Sequence, residues 1–270
     1  MTTIDHTLDV AAALPAGRDF GISGRSIIIT GSGQGIGAEY ARQFAAAGAL
    51  CTVVDLNAEK AHAVAEEIEQ AGGTAAAAAA DVTDAAAMED LARSVVDRHG
   101  HIHALVNNAA VFAGLTLKGL EEIPLEEWDT VLRVNITGSY LPARAVAPYM
   151  RAAGSGRIVN ISSAAVAQGL VNCLHYVTSK SAIVGMTYSM ARELGPHGIT
   201  VNAIQPGGTR TEIERKTQTA EGRALMMSRQ CLNRHEVPMD LVGLAVFLCS
   251  PASAFLTGQV IACDGGSTHR

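Results

Sequence analysis

The segment SIIITGSGQGIG, Ser26 to Gly37, followed by AEYARQFAAAG, decides the fold. The β-branched run Ser26 to Thr30 breaks into glycines and then into an alanine-rich stretch of helical character, which reads as strand, glycine turn and helix. Gly31 permits a tight turn, Gly35 lets the backbone approach a pyrophosphate, and Gly37 lets the helix pack close to the strand, with phosphates at the helix N-terminus. The Gly-x-x-x-Gly-x-Gly spacing differs from the commoner G-x-G-x-x-G, which Gly33, Gly35 and Ala38 fit only loosely. A glycine turn alone also fits a purely structural loop.

Next, ALCTVVDLN (Ala49 to Asn57) reads as a second buried strand ending in Asp55, where an acid can grip the adenosine ribose. Its carboxylate accepts bonds from a ribose 2′-hydroxyl and repels a 2′-phosphate, and neither Ser32 nor Gln34 in the turn supplies an offsetting cation. Asp55 therefore argues for NAD; the alternative is a helix N-cap. In HYVTSKSAIVG, Tyr176 and Lys180 are four residues apart, which stacks a phenol and an ammonium on one helix face. A free phenol has a pKa of about 10, so only about one in a thousand is ionised at neutral pH. An ammonium within about 4 to 6 Å favours the phenolate and makes it a usable base. A Tyr packed under a snorkelling Lys would show the same spacing.

These motifs, in order with Asp81-Val82, NNAA (Asn107 to Ala110), Asn135, ISS (Ile161 to Ser163) and PGGTRT (Pro206 to Thr211), resemble the short-chain dehydrogenases/reductases of the shorter type, from about Gly24 to Gly266. Ala110 departs from the glycine usual in that family, and no catalytic position is lost. The resemblance implies that Tyr176 is the general acid/base while hydride passes between substrate and nicotinamide. Lys180 would hold the nicotinamide ribose and lower the Tyr176 pKa. Ser163 would orient the substrate, chosen over Ser162 because it lies the family's usual thirteen residues before Tyr176. Asn135, an interior Asn in a helical stretch, suggests a kink or a bound water, and in the family this position holds a proton-relay water. The cofactor set implied by the resemblance begins with Gly31, Ser32, Gln34, Gly35, Ile36 and Gly37 in the turn. Asp55 and Leu56 follow at the second strand, and Asp81 and Val82 at the adenine. Asn108 and Ala109 lie beside the ribose, Pro206 and Gly207 continue the set, and Thr209 and Thr211 bond the carboxamide or phosphates. The position of Thr209 is usually a β-branched aliphatic residue in the family.

The chain has 270 residues, 48% hydrophobic and 17% charged, enough for one large core. We expect a single α/β, Rossmann-like, doubly wound domain: a seven-stranded parallel sheet flanked by helices over residues 24–270, preceded by an N-terminal arm over 1–23. The strands expected are 26–30, 50–55, 74–80, 104–107, 157–162, 200–205 and 259–263. Ala75 to Ala80 favour helix by propensity, but their place before Asp81 requires strand. MTTIDHTLDV has no basic leader and no apolar run reaches a membrane span, so a cytoplasmic protein without a membrane partner is expected. A net charge of −6 argues against nucleic acid. The five cysteines, scattered without a C-x-x-C pair, suit reduced thiols in the core.

His101 and His103 lack companion ligands, so no metal is expected and loop solvation is the simpler reading. The mixed charges of Thr209 to Arg223 suit a solvated helix, which by resemblance would be the substrate lid. Leu225, Met226 and Met227 suit an apolar pocket, and equally packing or subunit contact. The leading reading is an NAD-dependent enzyme that interconverts a small, mostly neutral secondary alcohol and its ketone. The alternatives are a 3-oxoacyl-thioester reductase, with Arg210, Arg215 and Lys216 toward an anionic carrier, and a dinucleotide-binding sensor without turnover. By resemblance a homotetramer is expected, with the apolar helical stretches 128–150 and 175–194 at its interfaces.

Overall fold

The computed structural model describes residues 20–213 and 220–269. Its centre is a seven-stranded parallel sheet in the order β3-β2-β1-β4-β5-β6-β7. The chain alternates β1 (Ser26–Thr30), α1 (Gly35–Ala46), β2 (Leu50–Asp55), α2 (Ala58–Gln70), β3 (Thr74–Ala79), α3 (Ala85–His99) and β4 (Ala104–Asn107). It continues through α4 (Leu125–Leu132), α5 (Gly138–Ala153), β5 (Gly156–Ile161), the single turn α6 (Ala165–Gln168), α7 (Leu174–Leu194), β6 (Ile199–Pro206), α8 (Ala220–Ser228), α9 (Pro238–Cys249) and β7 (Val260–Cys263). Every strand lies within one residue of its sequence-based bounds.

Each inner strand is apolar on both faces because helices cover both. Ile27, Ile29 and Val53 pack with Phe44 of α1 and Leu241 and Val246 of α9 on one side. Ile28, Val54 and Leu105 pack with Leu91 of α3, Val146 of α5 and Leu194 of α7 on the other. The alanine run is strand, as topology required: Cys51 pairs with Ala75 and Asp55 with Ala79 in parallel register. Strand pairing overrides helix propensity there.

Three expectations shift. Ile22, assigned by sequence to the arm, is fully buried, Phe20 packs against the same core, and Gly24 N–H donates to the Gly48 carbonyl at 2.8 Å. The core therefore begins by Phe20; residues 1–19 lie outside the described residues. His103 is not merely solvated: its Nδ1 accepts from Ser26 N–H at 3.0 Å, and burial lowers its pKa to about 4, keeping it a neutral acceptor. Among the cysteines, Cys51, Cys173 and Cys249 are buried and Cys263 is half-buried, but Cys231 is exposed, and all five are free thiols.

The kink expected at Asn135 is a π-helical segment, Arg133–Thr137, between α4 and α5. No helix among the described residues is long and apolar enough to cross a membrane.

Candidate active site

The strand order reverses between β1 and β4, which leaves a crevice at the carboxyl ends of the strands. Most of the sequence-derived residues come from those ends, with Asn135, Tyr176 and Lys180 supplied by helices. The turn Gly31 to Gly37 follows β1, Asp55 ends β2, Asp81 and Val82 follow β3, Asn108 and Ala109 follow β4, Ser163 follows β5, and Pro206 to Thr211 follow β6. Leu56, directly after β2, is 75% exposed.

At the turn, Gly35 has φ +61° and heads α1. A Cβ on Gly37 would lie 2.3 Å from the Gly31 carbonyl oxygen, so only glycine lets the helix start this close to the strand end. Asn108 closes the turn from β4, its amide donating to the Thr30 carbonyl at 3.1 Å and the Gly31 carbonyl at 2.9 Å. Gly35 N–H donates to the Glu212 carboxylate at 2.7 Å. The helix N-terminus thus holds an anionic oxygen in this structure, as a phosphate-binding turn requires. These residues fit a dinucleotide pyrophosphate.

Asp55 faces the turn, with Oδ2 accepting from Gly33 N–H at 2.9 Å and Oδ1 from Asn57 N–H at 3.0 Å. The cap of α2 is Asn57, which accepts from Lys60 N–H at 3.0 Å, so Asp55 is not spent as a helix cap. The sequence reading missed a cation here. Lys60, in the first turn of α2, donates its ammonium to the Gln34 side-chain oxygen. The signal was present, because a helix starting directly after Asn57 carries its third residue back over the turn. Asp81 accepts from Thr83 N–H and Thr83 Oγ1, both at 2.8 Å.

Tyr176 and Lys180 lie one turn apart on α7, both buried, and the Lys180 ammonium is 6.0 Å from the Tyr176 ring centroid. Lys180 Nζ donates to the Ile161 carbonyl at 2.8 Å, and burial lowers its pKa to about 8. No carboxylate pairs with it among the described residues, so the charge is balanced only by dipoles. Ser162 donates to the Lys180 main-chain carbonyl at 2.8 Å, which ties β5 to α7, while Ser163 Oγ accepts from Ala165 N–H at 3.2 Å at the cavity wall.

Asn135 is fully buried: its Oδ1 accepts from Val111 N–H at 2.8 Å and its Nδ2 donates to Ser179 Oγ at 2.9 Å. Its side chain therefore ties the segment after β4 to α7. Thr209 does not present its hydroxyl as sequence analogy suggested. That hydroxyl donates to Glu236 Oε1 at 2.5 Å, a contact across 27 residues of chain that no local sequence pattern marks.

A cavity of about 420 Å³ joins these groups, bordered by Ser163, Tyr176, Lys180 and Gly207 and by an outer wall that includes Phe112 and Met226. Leu225, Met226 and Met227 border it. The lid stretch is described only in part, since residues 214–219, with Arg215 and Lys216, lie outside the described residues.

A family model described as short chain dehydrogenase matches residues 25–222. The chain is 36% identical to D-threitol dehydrogenase of Mycolicibacterium smegmatis, over 93% of this chain and 95% of that one. It is 34% identical to the 3-oxoacyl-[acyl-carrier-protein] reductase of Thermotoga maritima, over 91% and 98% of the two chains. Among solved structures, a 7α-hydroxysteroid dehydrogenase complexed with NADH and 7-oxo glycochenodeoxycholic acid superposes with a TM-score of 0.87 at 34% identity, covering 93% of this chain and 97% of that one.

Proposed function

Since this chain belongs to the short-chain dehydrogenase/reductase family, we propose that it is an NAD-dependent enzyme interconverting a small, mostly neutral secondary alcohol and its ketone. The observation that carries this reading is the convergence of Ser163, Tyr176 and Lys180 on one cavity, continuous with Asn108 and Ile36 beside the glycine turn. A sensor without turnover would have no use for a buried, unpaired ammonium one helical turn from a buried phenol.

The bound nicotinamide supplies the hydride acceptor or donor. Tyr176 takes the alcohol proton from the substrate oxygen, or returns it in reduction. Ser163 holds that oxygen by a hydrogen bond. Lys180, protonated below about pH 8, stabilises the Tyr176 phenolate and offers N–H donors to the ribose hydroxyls. Asn135 fixes Val111 and Ser179, which keeps α7 in register with the segment after β4. Phe112, packed on the Tyr176 ring at 4.2 Å between centroids, shields the phenol from water.

Asp55 supports NAD over NADP. Two like charges about 4 Å apart repel by about 4 kcal/mol at an effective dielectric near 20, and half of that is roughly thirtyfold in binding. Lys60 offsets part of the repulsion, so a preference for NAD of at least about tenfold in kcat/KM is expected. The mainly apolar wall of Phe112, Leu117, Leu170 and Met226 supports a small neutral substrate. A second reading, a 3-oxoacyl-thioester reductase, draws on Arg210 and Arg229 at the cavity. Initial rates with NAD and NADP over secondary alcohols, ketones and 3-oxoacyl thioesters test both. Turnover of small alcohols with NAD supports the first reading, turnover of thioesters alone replaces it, and equal efficiency with both cofactors removes the role given to Asp55.

A further inference from the structure

Glu236 is 5% exposed and borders the cavity, yet the reaction proposed above gives it no task. It lies between β6 and β7, in the stretch that leads into α9. Its contacts all run to one loop. Oε2 accepts from Gly207 N–H at 3.0 Å, Oε1 accepts from the Thr209 hydroxyl at 2.5 Å, and its main-chain carbonyl accepts from Arg210 N–H at 2.7 Å. The carboxylate presses on Gly207 so closely that a Cβ there would lie 2.6 Å from Oε2. Met226 of α8 closes the other side, and a Cβ on Gly208 would collide with its terminal methyl.

Glu236 is itself held. Arg234 grips Asp240 of α9 through two bonds of 2.6 and 2.5 Å, and Asp240 accepts from Val237 N–H at 2.9 Å, so the stretch carrying Glu236 is braced from both flanks. A braced carboxylate reaching three successive positions of a glycine loop is a clamp on that loop.

We propose that Glu236 is a positioning residue, which in its ionised form holds the Pro206 to Thr211 loop in the shape that receives the nicotinamide end of the dinucleotide. The proposal rests on the dinucleotide reading of the crevice. Ionised, both oxygens accept, one from Gly207 and one from Thr209. Protonated, one oxygen must donate, the Thr209 hydroxyl has to turn, and the grip on the loop weakens.

Burial raises the Glu236 pKa to about 7; the Thr209 and Gly207 bonds act against that rise, and Asp240 and Asp264 add to it. Tyr40 of α1 and Cys263 of β7 also feel its charge, as does Arg234, whose own charge is shared with Asp240. His235 precedes it in the chain, and Arg210 lies beside it through its N–H bond to the Glu236 carbonyl. The clamp therefore changes state close to neutral pH.

The test uses Glu236→Ala, which removes both side-chain bonds, and Glu236→Gln, which keeps an acceptor and a hydrogen-bonding partner but cannot titrate. In the protein without cofactor, amide exchange of the peptide spanning 206–211, corrected for intrinsic rates, should quicken about tenfold or more in E236A. E236Q, whose amide offers one acceptor and one donor like the protonated acid, should at every pH match the wild type at low pH. Calorimetric titration with NAD should show affinity in the wild type rising several-fold from about pH 6 to about pH 8. E236Q should bind without that dependence, and E236A should bind about tenfold more weakly at both pH values. Unchanged exchange in E236A overturns the clamp. Normal exchange behaviour combined with a wild-type pH profile in E236Q overturns the titrating role. If the wild type binds no dinucleotide, the reading of the crevice fails, while the exchange experiment still decides the clamp.

Discussion

Lys180 and Asp55 carry opposite charges into the crevice, and each gives a residue-scale prediction. The Lys180 ammonium, with a pKa of about 8, is charged at pH 7 and loses its proton as pH rises through about 8. Dinucleotide affinity should therefore fall above pH 8 in the wild type, and Lys180→Met should bind weakly with no such fall. In Glu236→Gln, where only Lys180 is left to titrate, an affinity flat from pH 7 to 9 would remove Lys180 from the cofactor site. For Asp55 and Lys60 the signs differ: Asp55→Ala should narrow the gap between NAD and NADP, chiefly by lowering the KM for NADP, and Lys60→Ala should widen it by several-fold. Paired steady-state rates with both cofactors read this directly. At this scale the motif residues were legible because most follow a strand end, where sequence spacing and space coincide, and Tyr176 and Lys180 keep helical spacing on α7. Glu212 and Glu236 were not, since their roles depend on contacts between segments as far apart as Gly35 and Glu212, which no local pattern encodes.

At the scale of elements, the sheet could be read almost to the residue because buried parallel strands leave apolar runs bounded by glycines and acids. The alanine strand β3 was the hard case, and only its place between α2 and Asp81 gave it away. The site of the break between α4 and α5 was also legible, because an interior Asn competes with helical hydrogen bonds, but its π form was not. Asn135→Ala should remove the partner of the partly buried Val111 N–H and lower stability by about 1–3 kcal/mol, measured by urea unfolding. A loss below about 0.5 kcal/mol would show that Val111 finds another partner. The segment after β6 lends its Glu212 carboxylate to the head of α1. A phosphate must displace it, so Glu212→Ala should tighten dinucleotide binding by about two- to tenfold. Weaker binding in that variant would mean that Glu212 assists the cofactor rather than competing with it.

Across the whole molecule, the fold collects residues from β1 to β6 into one crevice and leaves apolar side chains on its outer helices. Tyr140 on α5 and Leu174 and Tyr188 on α7 are between 42% and 47% exposed, and Phe255 beyond α9 is fully exposed. Those surfaces support the homotetramer in our reading, and sedimentation at micromolar concentration should find four chains together; a monomer would contradict it. The central claim is that this crevice moves a proton through Tyr176 while hydride is exchanged with the nicotinamide. The most direct test is the turnover rate of Tyr176→Phe with saturating NAD and the best alcohol substrate. The account predicts a fall of at least about a hundredfold, because the variant keeps the ring and loses only the group that carries the proton. A variant that turns over within about twofold of the wild type would contradict it.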